Sequence, residues 1–297
     1  MVFLLENILY LTNRATIFVH YDKDNIVDEY VYKYLYELQK ISSYLLFLST
    51  AKLQEEDMNK LSVYCQDVII RENVGYDFMS YKIGLESFNY GKYDEVIICN
   101  DSVYGPFYPL KQLFENMNSS KCDFWGITDN TDISHHLQSY FLVFKKSVIH
   151  SEVFKEFWDS VVILDSKDEI IRKYEIGLTK FLLDNGFSSD VYAKFYPTNK
   201  QVLFIFLKKL TLLRILNKFL DIVREKNKIK RIGKINNTHY FWKELLIYGK
   251  SPFVKIELLR DNPMKTDIDD WEEVIQSTSD YDTTLIKKHL ARMKTNK

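Results

Sequence analysis

The triplet Asn100-Asp101-Ser102 closes the apolar run Val96-Ile97-Ile98-Cys99, within the segment CNDSVYGPFYPL. A carboxylate at the end of a buried strand, beside an amide and a hydroxyl, can hold a hard divalent cation that keeps some of its waters and bridges phosphate oxygens. The same three residues also suit a plain turn into Gly105-Pro106, because Asn, Asp and Ser bond their own backbone readily. Other polar residues follow other apolar runs in the same way: His20, Tyr21 and Asp22; Thr50; Asn73, Gly75 and Asp77; Thr128 and Asp129.

Chemistry at those positions requires elements that bring them to one place. The run ATIFVHY (15–21) precedes a stretch with Tyr30, Val31, Tyr34, Leu35, Leu38 and Ile41 at helical spacing, which reads as a strand and an amphipathic helix. The unit recurs. YLLFLS (44–49) precedes a polar helix near 54–65, VII (68–70) precedes a helix opening at Asp77, and EVIICN (95–100) precedes an element from about Leu110. DFWGIT (123–128) and SYFLVF (139–144) are further strand candidates, with helices expected at about 147–161 and 168–185 and Gly186 as a C-terminal cap. This alternation predicts an α/β chain with a doubly wound, mostly parallel sheet. Ligands of such sheets sit outside the carboxyl ends of the strands, where these polar residues fall.

Composition narrows the classes. Forty basic and forty-one acidic side chains give a net charge of −1, so the whole molecule lacks the field of a nucleic-acid coat. Three widely spaced cysteines, Cys65, Cys99 and Cys122, exclude a zinc finger and suggest reduced thiols in the cytoplasm. Residues 1–11 are apolar but carry Glu6 and no basic leader, which does not read as a secretion signal. Neither GxGxxG nor GxxxxGKS occurs, nor GxSxG or HExxH, which disfavours common dehydrogenases, P-loop ATPases, serine hydrolases and zinc proteases.

The segments NVGYDFMSYKIGL (73–85), NDSVYGPFYPL (100–110), DFWGITDN (123–130), HLQSYFLVFKKSV (136–148), YEIGLTKFLLDNGF (174–187) and PFVKIELLRDNP (252–263) together resemble the rhamnan synthesis protein F family. That resemblance implies a bacterial polysaccharide glycosyltransferase with the A-type (GT-A-like) nucleotide-sugar fold. It implies that Asn100-Asp101-Ser102 stands where such enzymes carry Asp-x-Asp, with only Asp101 left to offer charge to Mg2+ or Mn2+ and the donor diphosphate. His239 would complete the metal site, its bland alternative being an aromatic-cluster histidine. Glu175 would be the acceptor-activating base and Asp129 the second choice; a solvated helical glutamate is the alternative.

The donor nucleotide would lie against His20, Tyr21, Thr50, Asn73, Gly75 and Asp77, with Gly75 giving a tight backbone course and Asp77 capping the next helix. Trp125, His136, Gln138 and Ser139 would face the acceptor, although Trp125 equally suits plain core. The resemblance makes dTDP-L-rhamnose the first-choice donor and inversion the outcome. An inactive sugar-binding subunit of a polysaccharide assembly complex is the rival.

Residues 202–220 are apolar with interspersed cations, and 208–234 hold ten Lys or Arg against two acidic residues, a local +8 in a chain of net −1. This suits a helix lying in the membrane interface, at the inner face, where a lipid-linked acceptor would be reached; a buried helix or dimer contact is the alternative. Nucleic acid fits poorly, since aliphatic residues dominate. The expected organisation is a catalytic domain over 1–200 and a helix-rich region over 201–297 that completes the site and docks to membrane.

Overall fold

The computed structural model describes residues 12–131, 134–198, 200–201 and 236–295. Seven strands form the central sheet: β1 (Arg14–His20), β2 (Tyr44–Ser49), β3 (Asp67–Ile70), β4 (Glu95–Asn100), β6 (Phe124–Gly126), β9 (Phe141–Lys145) and β10 (Ser189–Val191). Their spatial order is β10-β6-β9-β4-β1-β2-β3. All neighbouring pairs are parallel except the two made by β9, which is antiparallel to β4 and β6. Short ribbons are added by β5 (Val103–Tyr104) with β11 (Val254–Lys255), and by β7 (Asp129–Asn130) with β8 (His136–Leu137). This is the α/β, mostly parallel sheet expected from the alternation of apolar runs and helices.

Period-two patterning explains why the sheet is buried on both sides. In β1, Ile17 and Val19 face a core with Ile98, Leu142 and Phe144, whereas Phe18 faces one with Phe47, Ile97 and Val143. The helices Tyr76–Glu86, Glu152–Asp159 and Ile176–Asp184 cover the first face through Phe78, Tyr81, Phe154, Trp158, Leu178 and Leu182. The helices Glu29–Gln39 and Leu110–Met117 cover the other, joined there by Trp242, Leu245, Phe253 and Ile275 from the C-terminal helices. The helix Tyr76–Glu86 lies close on β1: a Cβ at Gly84 would stand 2.7 Å from Ile17 Cγ2.

Two local expectations are corrected. Asp77 does not cap its helix. Gly75 stands at the N-cap with φ 72°, and the helix begins at Tyr76, leaving the Asp77 carboxylate free to turn toward β4. SYFLVF is a strand, but its antiparallel insertion between β4 and β6 reverses it, so Ser139 and Tyr140 enter β9 at the edge where the parallel strands end. Gly186 has the positive φ of a C-terminal cap, 88°, and its amide bonds Leu183 O. The basic stretch 202–234 lies outside the described residues. Among the described residues, no helix is long and apolar enough to cross a membrane.

The C-terminal helix Thr284–Thr295 is fastened across the first loop by Arg292. Its guanidinium bonds Asp22 Oδ2 at 2.6 Å, Asp24 Oδ2 at 2.8 Å and Asp28 Oδ2 at 2.5 Å, with 19% of the arginine side chain exposed. Burial would raise the Asp22 carboxyl, but the Arg292 hydrogen bonds and the Ile26 amide outweigh it and leave it below its ordinary value. Arg292→Met leaves three clustered carboxylates without their cation and is expected to cost about 2–3 kcal/mol at pH 7, less than a fully buried pair because of the residual exposure. Because the Asp22 pKa is depressed in the folded state, this stabilisation is present above the unfolded-state value and is lost as pH falls through the folded one. Urea unfolding of both proteins from pH 7 to pH 3 checks it: the gap between them should narrow with acid, and a gap independent of pH contradicts the ionic account.

Candidate active site

The site is built on the tip of β4. Asn100 is buried and fully engaged: its Oδ1 accepts from Ser102 N at 3.1 Å and Ser102 Oγ at 2.6 Å, while its Nδ2 donates to Asp77 Oδ2 at 2.8 Å. That amide fixes the turn and ties the first turn of helix Tyr76–Glu86 to β4. Asp101, the next residue, turns the other way. Its Oδ2 accepts the Tyr21 amide at 2.9 Å and lies 3.9 Å from His20 Nε2, with 16% of the side chain exposed. Burial raises the Asp101 carboxyl well above the ordinary range; the Tyr21 amide opposes this and the Asp77 carboxylate adds to it. Asp77 is raised for the same first reason, against the pull of Lys255 and the Asn100 amide.

His20 brings no charge to relieve them. Its Nδ1 pairs with Ser49 Oγ at 2.9 Å across the β1–β2 register, and burial pulls the ring down to about 4.

A second carboxylate reaches the same cavity from the opposite side. Glu175 ends a π-helical turn, Ile171–Glu175, that buries Tyr174 in the core and points the glutamate at the site. Its Oε2 accepts from Ser139 Oγ at 3.0 Å, and Oε1 lies 3.5 Å from His136 Nε2. Burial would raise this carboxyl, but the His136 and Ser139 contacts and the Lys255 ammonium prevail and hold it below its ordinary value. Glu175 is therefore an ionised, oriented acceptor at neutral pH.

Lys255 comes from β11, whose pairing with β5 places it beside the Asn100–Ser102 turn: Ile256 N donates to Ser102 O at 3.0 Å. Its Nζ lies 3.4 Å from Ser102 Oγ and 4.2 Å from the centre of the Tyr140 ring. Glu257 on the following helix is drawn down to about 2, first by His239, whose Nε2 lies 3.5 Å from its Oε2, against burial.

These groups line one cavity of about 540 Å³ at the carboxyl edge of the parallel strands. Of the expected residues, His20, Tyr21, Asp77, Asn100, Asp101, Ser102, Ser139 and Glu175 line it. His136 stands behind Glu175 as its partner. Others are placed elsewhere. Trp125 is 1% exposed and packs on Phe114 and Phe141, so it is core and not an acceptor platform. Gln138 is buried and accepts from Thr128 Oγ1 at 2.7 Å. Asp129 pairs with His135 at 3.1 Å on the β7–β8 ribbon and is not in the cavity wall. Thr50, Asn73 and Gly75 do not line it either; Asn73 is exposed, and Gly75 serves the turn.

His239 is buried 3.5 Å from Glu257, and the wall contains Glu257 rather than the histidine. Both of its ring nitrogens are buried without a hydrogen-bond partner among the described residues. A divalent cation fits Asp101 on the chemistry of the donor: a desolvated hard carboxylate, repelled by Asp77, gains from a cation at its side. Asp22, Asp28 and His289 form an acidic cluster with metal-ligand spacing, but Arg292 already occupies its carboxylates.

Reasoning from sequence missed Lys255, Glu257, Arg260, His289 and Arg292. For Lys255, Glu257 and Arg260 the signal was present, since all three lie in the PFVKIELLRDNP block. For His289 and Arg292 only a lone His and Arg on a polar helix were visible.

A model of the family described as rhamnan synthesis protein F matches residues 45–214. Virulence protein VirA of Vibrio anguillarum is 30% identical over 253 residues, which cover 80% of this chain and 77% of that protein. The uncharacterized protein y4gN of Sinorhizobium fredii is 33% identical over 156 residues, 50% of this chain and 41% of that one. Among solved structures, the glycosyltransferase GlyE of Streptococcus pneumoniae superposes with a TM-score of 0.38 at 14% identity, covering 60% of this chain and 46% of its own. The matched span holds both the Asn100–Ser102 turn and the Glu175 helix, and the chain belongs to the rhamnan synthesis protein F family.

Proposed function

We propose that this protein is a glycosyltransferase of polysaccharide assembly that moves a sugar from a nucleotide donor to a saccharide or lipid-linked saccharide. The observation that carries the reading is the pair of carboxylates of opposite protonation character, Asp101 and Glu175, facing one cavity at the strand ends. Family membership supports it. The first donor to test is dTDP-L-rhamnose, and the expected stereochemistry is inversion by single displacement. In that step the acceptor oxygen attacks the anomeric carbon, its proton passes to Glu175, and the sugar–phosphate bond breaks to release the nucleoside diphosphate. Ser139 and His136 keep Glu175 ionised and aimed. Tyr21, exposed beside His20, offers an aromatic face to the nucleoside. A divalent cation on Asp101, when bound, would neutralise diphosphate charge. Docking at the inner face of the membrane rests on the composition of 208–234 alone.

A panel of UDP-, GDP-, CDP- and dTDP-sugars, with and without saccharide acceptor, tests the reading through release of the free nucleoside diphosphate. Acceptor-dependent release is expected. Equal release without acceptor identifies a hydrolase, and binding without turnover under any metal identifies a sugar-binding subunit.

Glu175→Gln keeps the Ser139 hydrogen bond but cannot take a proton, so kcat should fall about 10²–10⁴-fold while donor affinity stays within about twofold. In the wild type, protonation of Glu175 should cost activity only below the ordinary glutamate value of about 4.3, because Glu175 is depressed and not raised; any limb at higher pH belongs to Asp101, whose carboxyl is raised. An acid limb near pH 6 that persists in the residual activity of Asp101→Asn excludes Glu175 as the base.

Asp101→Asn should raise the melting temperature of the ligand-free protein at pH 7 while lowering turnover at least about 100-fold. The sign follows from the raised pKa: the folded state favours the proton more than the unfolded chain, so at neutral pH the site costs folding free energy, through desolvated charge or through uptake of a proton, and a neutral amide removes that cost. A lower melting temperature in calorimetry contradicts the electrostatic description of this site.

A further inference from the structure

We propose that Lys255 is the cation that receives the diphosphate of the nucleotide donor, an inference that rests on the transferase reading and names a residue for its leaving group. Lys255 lines the cavity on the side of the Asn100–Ser102 turn. Its backbone is clipped to that turn through the β5–β11 pairing and the Ile256 N to Ser102 O bond, so its position is fixed relative to Asp101. Among the described residues, no carboxylate oxygen comes within ion-pair distance of its ammonium. The contacts it has are a serine hydroxyl at 3.4 Å and an aromatic face at 4.2 Å, both of which orient the charge without neutralising it.

The other cations in or beside the cavity are committed or exposed. Beside it, Arg292 holds Asp22, Asp24 and Asp28; in its wall, Arg260 holds Asp261, and Lys23 and Lys167 are exposed. Burial pulls the Lys255 ammonium down to about 8, against the raising influence of Glu175, Glu257 and Asp77, which leaves a cation short of counter-charge. A diphosphate oxygen supplies that charge, and its demand grows as the sugar–phosphate bond breaks and the electron pair stays on phosphate. No proton transfer is needed at Lys255.

The test is calorimetric titration of wild type and Lys255→Gln with UDP, GDP, CDP and dTDP and with the four matching nucleosides, in EDTA and again in Mn2+. Wild type should bind at least one of the diphosphates in EDTA. Lys255→Gln should weaken that binding about 10–100-fold and leave the matching nucleoside unchanged. If the variant binds the diphosphate as wild type does, or loses nucleoside and diphosphate in parallel, the assignment fails. A measurement on wild type covers the case of a misfolded variant: the bound diphosphate should slow acylation of Lys255 by an amine-reactive ester, read by mass spectrometry, and the nucleoside should not. Unhindered acylation at saturating diphosphate overturns the proposal. Absence of binding to all four diphosphates by wild type overturns both this inference and the transferase reading, whereas wild-type binding that ignores Lys255 overturns this inference alone.

Discussion

Carboxylates gathered at the carboxyl edge of a buried sheet must be answered by cations, because unpaired charges in a low-dielectric crevice destabilise the fold that gathers them. The first 175 residues bring Asp22, Asp24, Asp28, Asp77, Asp101 and Glu175 to this edge. The nearby Arg71 is spent on the backbone, bonding the carbonyls of Glu72, Val74 and Tyr76 to shape the loop before the Asp77 helix. For Asp22, Asp24 and Asp28 the answer comes from the last helix, through Arg292, while Lys255 acts on Glu175 and Asp77 only at a distance. The Arg292 bonds to Asp22, Asp24 and Asp28 span 264 to 270 residues of sequence. The site thus forms only when the two ends of the described chain meet, and contacts of such separation are formed late and at high entropic cost in the folding of a sheet.

The same constraint explains why the β4 tip reads Asn-Asp-Ser where the family resemblance suggested Asp-x-Asp. Asn100 uses both ends of its amide, donating to Asp77 and accepting from Ser102. An aspartate could accept from Ser102 but would set two carboxylates 2.8 Å apart at the Asp77 contact, in a place where Asp77 already raises Asp101 and is itself raised by Glu175. The amide keeps the turn and removes the repulsion. What is given up is a second anionic ligand for a metal, which increases the weight carried by Asp101 and by protein cations such as Lys255.

How far this was legible in sequence follows from what period and proximity can encode. Apolar runs at β1, β2 and β4 are long and strongly patterned, so their carboxyl ends, and with them His20, Tyr21, Asn100, Asp101 and Ser102, could be placed at one edge. Glu175 was found through resemblance; nothing in helical periodicity distinguishes it from a solvated glutamate, and the π turn that aims it has no sequence signature of its own. Trp125 and Gln138 fall in or beside strands, where successive side chains point to opposite faces, so proximity in sequence to the site says nothing of orientation. The reversal of β9 was invisible because an apolar run has no direction. Lys255 and Arg292 were invisible as partners for a different reason: a contact across 150 to 270 residues, whether to the Ser102 hydroxyl or to the Asp22 and Asp28 carboxylates, leaves no local pattern.

The cavity holds acids and an amine that do not satisfy each other. Asp101 and Asp77 are pushed up and Lys255 is pulled down, each by desolvation, yet Tyr140 and Ser102 hold the ammonium beyond ion-pair distance of any described carboxylate. Closing that gap by a direct Lys–Asp pair would make a more stable protein and a poorer receptor, since a ligand would first have to break the pair. On the proposed reading, Asp101 would hold a divalent cation and Lys255 would receive the diphosphate, so that a bound donor would give both residues the partner they lack. Glu175 differs from these groups because Ser139 and His136 satisfy it before any ligand arrives and hold it below its ordinary value, which is the state the proposed base requires.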